Sequence, residues 1–218
     1  MAGGPRSAGG LLLLAAAADR SDLGAFLSRI VRLNADAVVR LRRSVGAVEA
    51  WSWLPVDVLV TRRVAAQLDP VDVTVTVADL LARLDAAACD VALPAACDDR
   101  WRGTLPGPAG WRLLETVPAS EVLALVKAGA EAFRAAATVG AAASQVADSL
   151  LSHESLTVDD GDLTVAVPMR VLQSLARMGF LAADGDVSIA AGPTWLLLDA
   201  AYGSAYLRRG AGLGLLPV

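Results

Sequence analysis

Side chains that carry chemistry are scarce in this 218-residue sequence, which holds one histidine, His153, two cysteines, Cys89 and Cys97, and one lysine, Lys127. A Ser-His-Asp or Cys-His mechanism would have to run through His153. Its neighbours Ser152 and Glu154 place it at a solvent-facing helix end, where an imidazole serves the helix dipole rather than catalysis. A tetrahedral zinc site of the usual nitrogen and sulfur ligands would consume the histidine and both cysteines and still need a carboxylate, so no metal centre is expected. The two cysteines fit neither a metal framework nor a disulfide-dense secreted scaffold, and two free thiols in a reducing cytoplasm are expected. The Walker-type phosphate loop, a Gly-x-Gly-x-x-Gly after a strand and a Gly-x-Ser-x-Gly elbow are all missing, and no cofactor is expected.

Long apolar runs are missing as well. The hydrophobic fraction is 55% and the mean hydropathy +0.51, but the longest run, Leu11 to Ala18, falls far short of the roughly 20 residues that span a bilayer. The hydropathy comes from Ala, Val and Leu spread along the chain, which marks a core-rich protein. Residues 1–18 have the outline of a secretory signal. The apolar run nevertheless passes through Asp19-Arg20-Ser21-Asp22 into a strongly patterned helix, so it is expected to be retained as a short helix of its own.

A net charge of −4 and a pI near 5.0 argue against a dedicated nucleic-acid binder, which shows a basic domain. The charge is uneven: residues 1–43 carry seven arginines against three aspartates. Leu23, Phe26, Leu27, Ile30 and Val31 follow the spacing of one helical face, with Asp22 available as a cap. Ala35 to Arg43 reads as a further helix with Arg40, Arg42 and Arg43 crowding its end. Beyond Gly46 the period changes to two, and the runs 48–54 and 58–64 read as a β-hairpin around Pro55-Val56-Asp57. Val71 to Val75 reads as a short strand. Thr76 and Asp79 form a capping-box pattern ahead of a helix over 77–88.

Prolines, glycines and Trp101 and Trp111 fill the stretch that follows, up to a strand over 110–117. Pro118 opens the longest helix, whose apolar stripe includes Gly129, a place where a neighbouring element can approach closely. A second helix is expected around Val146 to Leu151. Asp159-Asp160-Gly161-Asp162 gathers carboxylates that suit a hard cation, but an EF-hand needs further ligands ending in a Glu, and Asp and Gly are also what a hairpin loop prefers. Pro168 then starts a helix closed by Gly179, a hairpin is expected over 180–189, and the runs 195–199 and 204–209 read as closing strands ahead of a Gly-rich tail.

These elements specify an α+β protein: N-terminal helices, a β-hairpin unit, a central helical pair, and C-terminal hairpins around one helix. Three segments are expected, 1–92 with the N-terminal helices and β-hairpin, a Pro/Gly/Trp-rich connection at 93–117, and 118–218 with the C-terminal helix and hairpins, with one continuous domain as the alternative. The function requiring least is that of a non-enzymatic cytoplasmic protein-binding or regulatory protein, whose partner is another protein or a second copy of itself, with Arg40, Arg42 and Arg43 as the docking cluster. A winged-helix-like DNA-binding regulator is the alternative, with Arg170, Gln173 and Arg177 on the helix that enters the groove. A small enzyme using carboxylates alone is a further alternative.

Overall fold

The computed structural model describes residues 10–86, 89–138, 149–159 and 161–209. The chain divides into two compact units, one of Met1–Trp53 with Thr61–Gly103 and one of Leu54–Val60 with Thr104–Val218. Both mix helices with antiparallel sheet. Among the described residues no helix is long and apolar enough to cross a membrane.

Unit 1 holds β1 (Leu11–Leu14), α1 (Ala17–Leu33), β2 (Val38–Ser44), β5 (Ala66–Asp69), β6 (Asp72–Thr76), α2 (Val77–Ala86) and β7 (Asp90–Ala92), together with nearly all of β3 (Ala47–Leu54) and the second half of β4 (Val58–Val64). Its strands pair in the orders β5-β1-β7 and β6-β2-β3. Helices α1 and α2 pack on each other, and the expected face of α1 is buried at Leu23, Phe26, Leu27 and Ile30. Burying a side chain of that size fully contributes about 1.5–3 kcal/mol. Thr76 Oγ1 donates to Asp79 at 2.5 Å, at the entrance to α2 where the capping pattern placed it.

Two expected helices of this unit are strands. Leu11–Leu14 is hydrogen-bonded on both sides, to β5 and to β7, and buries Leu12 and Leu14 in alternation. Central pairing on two edges outweighs the helix propensity of leucine. In β2, Val39 and Leu41 are fully buried while Arg40 and Arg42 take the opposite face. Arg40 and Arg42, which looked like part of a helix end, are the outward phase of a strand begun by two β-branched valines.

Unit 2 holds β8 (Arg112–Pro118), α3 (Ala119–Thr138), β9 (Glu154–Asp159), β10 (Thr164–Pro168), α4 (Met169–Arg177), β11 (Asp186–Ala191), β12 (Trp195–Ala200) and β13 (Gly203–Arg208). The strands run β8-β11-β12-β13 in one antiparallel order, with β9 and β10 as a separate pair. Helix α4 ends in the pattern that its glycine announces. Gly179 has φ +64, its N–H donates to Ala176, and the Phe180 N–H donates to Leu175, both at 3.0 Å. That turn buries Phe180 at 2% exposure.

No hairpin therefore forms over 180–189. β11 starts only at Asp186 and lies between β8 and β12, so α4 leads into the strand order β8-β11-β12-β13 and the winged-helix outline is not supported. At Gly129, an added Cβ would lie 2.8 Å from Met169 Cε, the close approach expected of that glycine. The helix expected around Val146 to Leu151 falls mostly outside the described residues, as do residues 1–9, Asp160 and the tail from Gly210.

Candidate functional site

In unit 1, one face of the β6-β2-β3 strands collects Arg40 and Arg42 from β2, Asp72 and Thr74 from β6, and Glu49 and Trp51 from β3, by cross-strand register. Of the three arginines singled out by sequence, Arg40 and Arg42 lie on it, whereas Arg43, opposite Val48, takes the other face. Arg40 donates from Nε and Nη2 to the two carboxylate oxygens of Asp72 at 2.7 and 2.8 Å, and its guanidinium lies 5.8 Å from the ring centre of Trp101. The hydrogen bonding to Asp72 raises the Arg40 pKa above its ordinary value, with desolvation opposing. Arg40 is thus a clamped structural cation. Arg42 and Arg43 are exposed.

Beyond them the β2–β3 turn carries Val45, 92% exposed, beside Gly46 at φ +66. Exposed Arg63 donates from Nη2 to the Val45 carbonyl at 2.9 Å. A protruding apolar side chain, with exposed Arg42 and Arg43 just before it in the chain and Arg63 bonded to its carbonyl, is suited to gripping a segment that offers carboxylates around an apolar contact. Sequence reasoning missed Val45 and Arg63. The signal for the valine was its place beside Gly46 in a two-residue turn.

The segment over this face is pinned by its own polar contacts. The Thr74 N–H donates to Asp98 at 2.6 Å, Trp53 Nε1 donates to the Arg102 carbonyl at 3.1 Å, and Arg100 donates to the Asp36 carbonyl at 2.6 Å. Cys97 lies in this segment, where burial pushes its thiol pKa up. Both cysteines are free.

In unit 2, α4 buries Met169, Val171, Leu172, Ser174 and Leu175. Of Arg170, Gln173 and Arg177, only Arg177 is exposed, so the set does not form an open face for a DNA groove. Arg170 lines a polar cavity of about 360 Å³ with Arg208 and Arg209 of the closing strand end. His153 lines a separate, mostly apolar recess of about 290 Å³ with Leu125, Leu150 and Met169. In the aspartate-rich stretch, Asp159 accepts from the Gly161 N–H at 2.7 Å and from Thr164 Oγ1 at 2.8 Å, and these bonds hold its pKa below the ordinary value. Among the described residues, no group of three or more His, Cys, Asp or Glu side chains is placed to hold a metal ion.

Residues 8–103 match the family model described as Domain of unknown function (DUF8010), and residues 106–212 match that described as Domain of unknown function (DUF8185). No curated protein matches the chain. Solved structures do. The DnaN sliding clamp, DNA polymerase III subunit beta, of Bartonella birtlesii bound to griselimycin matches with a TM-score of 0.58 at 15% identity, over 95% of this chain and 66% of the clamp. The C. crescentus beta sliding clamp matches with a TM-score of 0.58 at 11% identity, over 94% and 66%. The DNA polymerase III subunit beta of Pseudomonas aeruginosa matches with a TM-score of 0.58 at 16% identity, over 96% and 68%. The chain thus spans 66% of the length of the first two of these clamps and has their kind of α+β, mostly antiparallel fold.

Proposed function

We propose that this chain is a non-enzymatic, cytoplasmic protein-binding scaffold built on a sliding-clamp fold, and that it docks a protein partner on the Arg42, Arg43 and Arg63 surface around Val45. The observation that carries the scaffold reading is the clamp likeness over nearly the whole chain. The matched proteins are named as a subunit of DNA polymerase III, and a subunit works in an assembly with other proteins. The docking surface is supported by the contrast within the arginine cluster: Arg40 is consumed by Asp72, while Arg42 and Arg43 stay exposed beside an apolar tip. Self-association through the same surface is the homotypic form of this reading.

Association with duplex DNA is the second reading, favoured by the same likeness to polymerase clamps, and Arg177 is then the exposed α4 side chain available to a phosphate. Fluorescence anisotropy of a labelled duplex, titrated with the purified chain at several salt concentrations, separates the two. The scaffold reading expects weak binding without sequence preference. Tight binding whose affinity falls steeply and linearly on a log–log salt plot would replace it with the DNA reading.

A further inference from the structure

We propose that the recess at the start of α4 in unit 2 binds a small phosphate-bearing molecule, gripped by Arg170, Arg208 and Arg209. The recess measures about 360 Å³, within the range of roughly 300–1,000 Å³ of small-molecule sites. Arg170, Arg208 and Arg209 line it together with Ser152, Thr164 and one carboxylate among the described residues, Glu154. Guanidinium forks match the oxygens of a phosphate two at a time.

Two observations show the arginines poised for a ligand. Arg170 Nε is buried without a hydrogen-bond partner, and a buried donor left unmet is unfavourable unless something arrives to accept from it. The other two are held in place from outside. Arg209 Nη1 donates to the Gly192 carbonyl at 3.0 Å, and the Arg208 guanidinium stacks 5.1 Å from the ring centre of buried Trp195. Less rotamer freedom is then lost when they close on an anion.

The backbone builds the opening. Val167 of β10 faces Leu156 of β9, but Pro168 faces Glu154, so Ser155 is the extra residue of a bulge. That shift brings Glu154 level with Pro168, directly before α4. A lone exposed carboxylate on the rim of a cationic recess favours a ligand that also carries hydroxyls, as a phosphorylated sugar or nucleoside does.

This inference is independent of the scaffold reading. Isothermal titration calorimetry of the full chain with pyrophosphate is the test, with citrate and a short DNA duplex as parallel titrants. Saturable binding of pyrophosphate at one site is expected. Arg170→Gln and Arg208→Gln should each weaken it by about tenfold or more, the worth of one charge-assisted contact. Arg208 is exposed, so its variant keeps the fold, and an unchanged circular dichroism melt checks this. Absence of saturable heat, or an unaltered Kd in both variants, overturns the site. Citrate binding as tightly as pyrophosphate overturns the phosphate assignment, and displacement of pyrophosphate by the duplex overturns the small-molecule assignment in favour of a nucleic-acid backbone.

Discussion

Replacing Arg40 by Gln should cost unit 1 far more stability than the same change at Arg42 or Arg43, although the three lie within four positions of one strand. The pair with Asp72 is bidentate at 2.7 and 2.8 Å, with the two side chains 29% and 33% exposed. Exposed ion pairs contribute about 0.2–1 kcal/mol, whereas hydrogen bonds to charged groups contribute about 1.5–3 kcal/mol when water is excluded. Partial exposure places the Arg40–Asp72 coupling between those limits, at about 1–2 kcal/mol. The Trp101 ring adds roughly 0.5–1 kcal/mol of cation–π attraction. Arg40→Gln is therefore expected to lose about 1.5–3 kcal/mol, and Arg42→Gln and Arg43→Gln no more than about 0.5 kcal/mol each. The assay is a double-mutant cycle of Arg40→Gln and Asp72→Asn, followed by urea unfolding and tryptophan fluorescence. A coupling energy below about 0.3 kcal/mol, within the error of additivity, or an Arg42→Gln loss equal to that of Arg40→Gln, would refute the reasoning.

Leu27→Ala removes a side chain with no exposure from the face of α1 and should cost about 2–5 kcal/mol in the same urea assay. Gly179→Ala forces a Cβ onto a residue at φ +64 that closes α4, so a loss of about 1–2 kcal/mol is expected, with little change in the helical signal by circular dichroism. Because burial raises the Cys97 thiol pKa, its alkylation by iodoacetamide at neutral pH should be slower in the folded chain than in urea, read by mass spectrometry of the modified peptide. Equal rates in the two states would contradict that burial. Titration under denaturing, non-reducing conditions should find both thiols free.

The elements legible in the sequence were those whose own residues carry the pattern. The apolar face of α1, the proline-to-glycine span of α4, the Thr76–Asp79 cap and the strands around Ala201-Tyr202 all rest on spacings of a few residues, and the structure has each of them. The misread elements depended on distant partners. Nothing in four consecutive leucines says that β5 and β7 will bracket them. Nothing near Arg40 announces Asp72, and without that partner three arginines look alike. Phe180 looked like the first residue of a strand because its burial comes from the helix-closing turn behind it. The candidate docking surface was half visible: Arg42 and Arg43 were in view, but their distinction from Arg40, and the company of Val45 and Arg63, required the sheet. The Arg170 recess shows the same dependence, since Arg208 and Arg209 come from the far end of the unit.

In-cell crosslinking in the native host, comparing the wild-type chain with an Arg42→Glu/Arg43→Glu variant and quantifying crosslinked peptides by mass spectrometry, tests the scaffold claim most directly. The account predicts a defined set of protein partners crosslinked to peptides spanning the β2–β3 turn, lost in the variant while its melting temperature stays unchanged. Partners recovered equally by both chains would contradict the docking surface, and an absence of protein crosslinks above those of an unrelated folded control would contradict the scaffold itself.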